Sequence, residues 1–275
     1  MNNENMSTLK YIIQKGKGIN FMKLDCVLTA VNTNPLYVDF IPLFTKTWKK
    51  LYPSVDVKII LIADSIPEKF EEYKDNIILF PPLKGISTSF TSQYIRLLYP
   101  AILNYDNGIL ITDMDMLPMN SKYFSENFKK YTNNKFINIG DLDIYNQYYM
   151  CYNIASSKTW SDIFNIKSIQ DIKDRIIKVF NENTYLEGHG NIGWSLDQEH
   201  LHQYVTKWTN KTNNFIQLEP KNTEIKHHRL PRNNNTLKLN DTIEKDIKDH
   251  KYSDHHICRP FNKFEKQNNR IYDLL

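Results

Sequence analysis

Four short apolar runs constrain the fold of this chain more than any other feature of it. They are residues 25–32 (DCVLTAVN), 57–64 (VKIILIAD), 76–80 (NIILF) and 108–113 (GILITD). Each has strand length and is rich in Val, Ile and Leu, with no polar residue on alternate positions. Strands of that kind are covered on both faces, as in the parallel sheets of α/β proteins. Between the first two runs, Phe40, Ile41, Phe44, Trp48 and Leu51 recur at helical spacing. Asp39 suits the cap of that helix, Pro42 its first turn, and Pro53 its end. Between the third and fourth, residues 89–103 read as a helix with Tyr94, Leu97, Leu98, Ala101 and Ile102 inward, ended or kinked near Pro100. The order strand, helix, strand, strand, helix, strand predicts a sheet that carries its ligand at the carboxyl ends of its strands.

Further on, residues 135–140 and 148–155 read as two more strands, 168–180 as a helix, and 197–205 as another. Beyond residue 210 the periodicity fades into Asn-rich and Lys/Asp-rich stretches. There is no internal repeat and no composition shift that marks a boundary. Residues 1–23 are polar, lack the apolar core of a signal peptide, and read as a flexible extension; residues 24–275 read as a single domain. No apolar run is long enough to span a membrane. Cys26, Cys151 and Cys258 form no CxxC pair, which argues for a reducing compartment and against a disulfide framework or zinc ribbon. The net charge of +4 is spread along the chain, unlike the concentrated basic face of a nucleic-acid binder. A cytoplasmic location follows as the expectation, in the host cytoplasm if the source is viral.

The fourth run leads into Asp113-Met114-Asp115. In an extended chain residues i and i+2 point the same way, so both carboxylates can face one site. Two hard oxygen ligands suit Mn²⁺ or Mg²⁺, with a substrate diphosphate completing the octahedron. The plain alternative is two solvated aspartates capping a turn before Pro118.

Four segments, in order, resemble the GT-A fold glycosyltransferases, most closely the retaining group of glycogenin and bacterial lipopolysaccharide galactosyltransferases. Residues 94–103 (YIRLLYPAIL) are similar to the family's Arg-Leu-apolar-apolar-Pro helix, residues 108–117 to its strand plus DxD, residues 150–155 (MCYNIA) to its Phe-Asn-Ala-Gly strand, and residues 196–202 (LDQEHLH) to its Asp-Gln-Asp-x-x-Asn element. Glu199 and His202 depart from the last pattern. The resemblance implies a mixed, mostly parallel central sheet flanked by helices. The nucleotide-binding part would cover about residues 24–120 and the acceptor-binding part about 121–275. It implies a nucleotide-diphosphate sugar, a UDP-sugar first, as donor, and a glycan, protein or lipid-linked hydroxyl as acceptor, with no nucleic acid as partner.

The roles the resemblance implies are these. Asp113 and Asp115 hold metal and diphosphate, and Arg96 contacts the donor. Asp197 and Gln198 lie near the anomeric carbon, and Asp141 touches the sugar. Asn153 meets donor or acceptor hydroxyls, while Thr29, Ala30 and Asn32 meet the nucleobase. Asn32 stands where the family has Asp, and Tyr37 lies later than the family's stacking Tyr. A late histidine should complete the metal set; His256 is favoured over His255, and both over His227 and His228, with Arg259 on the diphosphate. Arg96 and Asp197 also have plain readings, as a loop salt bridge and a helix cap. Retention is favoured. An inverting enzyme would need a general base beside the acceptor, from Asp141, Asp143 or Glu187. Other classes that use such residues are a haloacid-dehalogenase-like phosphatase, whose DxD opens the first strand, a metal phosphoesterase at Asp254-His255-His256, and a non-catalytic sugar-nucleotide-binding scaffold.

Overall fold

In a computed structural model, residues 20–140, 146–233 and 235–275 are described. The four apolar runs form β1 (Leu24–Asn32), β2 (Asp56–Ile62), β3 (Ile77–Phe80) and β4 (Gly108–Ile111). They lie in the order β3-β2-β1-β4, all parallel. β5 (Met116–Pro118) follows the DxD turn. β6 (Phe136–Ile139), β7 (Asn153–Ala155) and β8 (Phe215–Leu218) extend the sheet to seven strands in the order β3-β2-β1-β4-β7-β6-β8. β7 is antiparallel to both β4 and β6, and β8 is parallel to β6. The four runs are the parallel strands expected of them, and the whole is the mixed, mostly parallel sheet that the resemblance implies.

Alternation along β1 divides the core. Val27 and Val31 pack with α1 (Ile41–Leu51), whose Phe44 and Trp48 are fully buried. Cys26 and Leu28 pack on the other face with α2 (Thr88–Leu98). α3 (Tyr123–Glu126) adds Phe124 to the first face. α4 (Ser157–Phe164), α5 (Ile169–Glu182) and α6 (Leu196–Thr212) cover the second. α5 starts on a capping box, Ser168 with Asp171, so its beginning is written locally. Gly108 opens β4 where the chain runs against its neighbours: a Cβ there would lie 2.4 Å from Ile154 Cδ1.

A second, three-stranded sheet binds the late chain to the middle of the molecule. β9 (Arg229–Leu230) and β10 (Asp254–His256) join β5 in the order β5-β10-β9. β10 is antiparallel to β5, with His256 opposite Met116 and Asp254 opposite Pro118. α7 (Asp241–Lys248) and α8 (Phe261–Leu274) pack around this sheet.

Several expectations need correction. Asp39 does not cap α1: Phe40 holds that position and Asp39 instead pairs with Lys69 at 2.5 Å. α2 stops at Leu98 and Pro100 lies in a 3₁₀ turn, which leaves Ala101 and Ile102 only half-buried. The strand read over 148–155 shrinks to its last three residues, because Tyr152 takes φ 77° and breaks the extended run. α6 continues to Thr212, well past residue 205. The polar extension read as ending at residue 23 is docked at its end: Met22 is buried and its N–H donates to Tyr131 O at 2.6 Å. Residues 1–19 lie outside the described residues. Among the described residues, no helix is long and apolar enough to cross a membrane.

Candidate active site

β4 ends at Ile111, and residues 112–115 turn the chain into β5, with Met116 N–H donating to Asp113 O at 3.2 Å. The two aspartates are therefore not successive side chains of one extended strand. They share a cavity, but each meets different cations.

Asp113 is held by Arg96 Nη1. Arg96 comes from the last turn of α2, is buried, and extends Nη2 to Asp197 Oδ2 at 3.3 Å. One guanidinium thus bridges an acid from the DxD turn and an acid from the first turn of α6. Asp197 is buried, and loss of water pushes its carboxyl up to about 7. Arg96 opposes that rise and the charge of Asp113 adds to it. Burial would lower Arg96, yet Asp113 and Asp197 together raise it, so the guanidinium stays charged. Asp197 is not a side-chain cap; its Oδ1 accepts from the neighbouring Gln198 N–H at 2.9 Å.

Asp115 is tuned the other way. Burial alone would raise its carboxyl, but the hydrogen bond and charge of His256, then Arg259 and Arg232, bring it below the usual range. Its Oδ2 lies 2.9 Å from His256 Nε2 and 3.1 Å from Arg259 Nη1. The β5–β10 register is what delivers His256: Ile257 N–H donates to Asp115 O at 2.9 Å, locking the strand end against the turn.

These groups line a cavity of about 290 Å³. Ala30 and Asn32 from the end of β1 line it, together with Tyr37, Trp194, Asp197 and Gln198 and with Arg96, Asp113, Asp115, His256 and Arg259. Asn32 does not present a free amide: its Nδ2 donates to Thr88 Oγ1 at 3.2 Å and its Oδ1 accepts from Asn34 N–H. Thr29 and Asn153 do not reach the cavity. Thr29 is fully buried on the face of β1 shared by Val27 and Val31. Asn153 is also fully buried, donating to Tyr149 O and Met150 O at 2.8 and 2.9 Å and accepting from Asn138. It pins the loop whose Tyr149, Met150 and Cys151 line the cavity, so it acts one step removed.

Of the late histidines, only His256 lies in this cavity. His255 is fully buried, its Nδ1 on Leu230 O at 3.0 Å, and burial lowers it to about 4. His227 meets Tyr123 Oη at 3.0 Å and His228 packs on Tyr252. Asp141 and Asp143 lie outside the described residues, and Glu187 accepts from Ser89 at the surface rather than lining the cavity.

Two residues here depart from the sequence reading, Tyr37 because its spacing set it aside as too late and Arg232 because nothing marked it. Tyr37 reaches the cavity because a 3₁₀ turn over Val38–Phe40 folds the chain back; its ring lies 5.0 Å beneath the Arg259 guanidinium and its hydroxyl accepts from it. Arg232 sits in the polar stretch after β9, yet its Nη2 is 2.6 Å from His256 Nε2. Nothing in the local pattern distinguishes it from any loop arginine.

The donor set can be tested against a divalent cation. Among the described residues, no three His, Cys, Asp or Glu side chains stand together as ready metal ligands, since Asp113 is turned to Arg96. Asp115 and His256 do fit. A carboxylate oxygen of Asp115 and an imidazole nitrogen of His256 lie 2.9 Å apart beside one cavity. Both atoms are ordinary ligands for a divalent cation, which would take the place of the proton between them.

No family model matches the chain, and no curated protein matches it. Among solved structures it is similar to the galactosyltransferase LgtC in complex with donor and acceptor sugar analogs, at 14% identity over 90% of this chain and 94% of that one, with a TM-score of 0.46. It is also similar to the apo form of the glycosyltransferase GlyE from Streptococcus pneumoniae TIGR4, at 16% identity over 72% of this chain and 45% of that one, with a TM-score of 0.43. At such identities and scores, neither likeness bears on activity, donor or metal.

Proposed function

We propose that this chain is a glycosyltransferase of the GT-A type that moves a hexose, with retention, from a nucleotide-diphosphate sugar to a hydroxyl acceptor. UDP-sugars are the first donors to test. The observation that supports this best is the meeting of His256 and Arg259 with Asp115, at 2.9 and 3.1 Å, in a cavity that Asp197 and Gln198 also line. A lowered carboxyl beside an imidazole and arginines suits a cation and a diphosphate; a raised, buried carboxyl in the same cavity suits a reacting sugar.

In this reading Asp115 and His256, joined by Asp113 when Arg96 releases it, hold Mn²⁺ or Mg²⁺. The bound ion supplies charge to neutralise the diphosphate as the glycosidic bond breaks. Arg259 donates hydrogen bonds to the leaving phosphate oxygens, as a planar donor fork suits. Ala30, Asn32 and Tyr37 form the wall for the base. Asp197, ionised, offers negative charge to the positive character that develops at the anomeric carbon, and Arg96 keeps that carboxylate oriented. Gln198 lies beside it, in reach of sugar hydroxyls.

The decisive assay is metal-dependent donor binding and hydrolysis with UDP-, GDP- and dTDP-sugars, with Asp115→Ala as control. One donor turned over only with Mn²⁺, and not by the variant, is the expected result; the anomeric configuration of the product then reports retention. Folded protein that binds none of them with metal would sink the proposal.

A further inference from the structure

We infer that Tyr149 and Trp194 form the acceptor subsite of the cavity, and that the acceptor they fit is a neutral pyranoside whose ring packs on them. The inference rests on the glycosyltransferase reading and names the class of its second substrate.

Two aromatic rings stand open to water beside the residues assigned to the reacting sugar. Tyr149 is 56% exposed and Trp194 half-buried, and both line the cavity that Asp197 and Gln198 line. The backbone fixes them next to those two residues. Trp194 lies just before α6, where Leu196 N–H donates to Gly193 O at 3.3 Å. Tyr148 N–H donates to Gln198 O at 3.2 Å, which sets Tyr149 beside the same helix start. Each ring is also pinned. Tyr149 packs on Gly140, where a Cβ would come within 3.1 Å of the ring's Cδ2. Trp194 follows Gly193, whose φ of 81° brings the loop so close that a Cβ there would lie 2.5 Å from Thr184 O. Glu199 joins the two loops, its Oε1 accepting from Ser195 Oγ at 2.8 Å and from Gln147 Nε2 at 3.5 Å. Exposed rings on loops held in this way are preorganised for a ligand.

The chemistry of this side of the cavity selects the ligand class. A pyranose has a face of C–H bonds and a rim of hydroxyls. Aromatic rings pack on the first, and neutral amides, which both donate and accept, pair with the second. The cavity supplies both, its amides being Gln198 and Gln93, the latter steadied by Tyr185 Oη at 3.0 Å. The charged groups nearby are spent on the protein itself. Glu199 holds the two loops, Glu187 accepts from Ser89 Oγ at 2.9 Å, and Arg96 is shared by Asp113 and Asp197. A neutral polyol therefore fits better than a charged peptide. In the transfer, an acceptor hydroxyl oxygen bonds to the anomeric carbon of the donor hexose as the bond from that carbon to the diphosphate breaks. The electron pair of the broken bond stays on the phosphate oxygen, which takes the hydroxyl proton.

The test gives the full chain Mn²⁺ and the nucleotide sugar that it hydrolyses, and measures nucleotide release with added acceptors. The probes are methyl β-glucoside, methyl β-galactoside, methyl α-mannoside and a peptide containing Ser, Thr and Tyr. At least one glycoside is expected to raise release above hydrolysis and to yield a disaccharide; the peptide is expected to do neither. Trp194→Ala should raise the acceptor KM by about tenfold and the donor KM by less than about threefold, with Tyr149→Ala acting in the same sense. Trp194→Phe, which keeps a ring, should stay within about threefold of wild type for the acceptor. Equal rises in the two KM values would put the rings on the donor hexose and overturn the inference, as would an acceptor KM that neither alanine moves. Release driven by the peptide alone, or by no probe while donor hydrolysis persists, also overturns it and leaves the glycosyltransferase reading standing. Absence of any metal-dependent donor turnover in wild type overturns both. Melting temperatures guard against a misfolded variant, and Trp194→Leu, apolar without a ring, supplies the answer if alanine does not fold.

Discussion

Replacing Asp197 with Asn should make this protein more stable and less active, and the gain should depend on pH. Asp197 is buried, shares Arg96 with Asp113, and has its carboxyl raised from the usual 3.8 to about 7. An acid raised in the folded state keeps its proton there while the unfolded chain has already lost it. Near pH 4 and below, both states are protonated and the group costs nothing. As pH climbs toward 7 the folded state falls progressively behind, and above 7 the deficit is complete. The shift corresponds to roughly 4 kcal/mol at 1.36 kcal/mol per unit. Asparagine imitates the protonated acid and keeps an oxygen for Arg96 Nη2. Asp197→Asn should therefore gain on the order of 2–4 kcal/mol at pH 8 and almost nothing at pH 4. For a chain of this length each kcal/mol moves Tm by about 2 °C. Calorimetry or fluorescence melting in metal-free buffer should give Asp197→Asn a Tm roughly 4–8 °C above wild type at pH 8, converging at pH 4. Donor turnover should fall about a hundredfold or more, the exchange of stability for activity expected of a strained site. A Tm difference independent of pH, or a variant less stable at pH 8, would refute the assignment of a raised carboxyl to this position.

Two more outcomes follow from the same geometry. With metal saturating, donor turnover should rise with pH along a limb whose apparent pKa is at or below about 7, because Asp197 works as the anion and a cation at Asp113 removes one cause of its rise; activity that falls over pH 6 to 8 would contradict it. Asn153→Ala should cost about 2–3 kcal/mol in urea denaturation, since it strands buried groups of Asn138, Tyr149 and Met150; a loss under about 0.5 kcal/mol would show that the loop has another anchor.

The parallel half of the fold was legible in the chain because burial on both faces demands continuous apolar runs, and residues 25–32, 57–64 and 108–113 supply them. The capping box at Ser168 was equally local. Trouble began where tertiary context decides. Tyr152 sits inside a run that looks like a strand, and only its positive φ ends the run there. The DxD motif was visible, but the division of its two acids between Arg96 on one side and His256 with Arg259 on the other depends on helices and strands remote in sequence. Asn153 matched a motif, yet its amide is spent on backbone carbonyls. Tyr37 was set aside as lying too late and Arg232 carried no signal, since a 3₁₀ turn and a strand pairing place them. Spacing finds the residues of one element; it does not find a side chain delivered by another.

The pairing of β10 with β5 also sets an order in time. The parallel strands β1 to β4 and the DxD turn are all made within the first 118 residues, while His256, the partner of Asp115, comes 141 residues after it. Synthesis exposes the early segments first, so the sheet can form while the candidate site is still missing a side. A chain halted before residue 254 would leave β5 with an unpaired edge and Asp115 without its cations. Such a product would be inert toward any donor and prone to edge-to-edge association. Under the proposed function, catalytic competence would then wait for β10, and a chain stopped before that strand would lose the activity while keeping the sheet of β1 to β4.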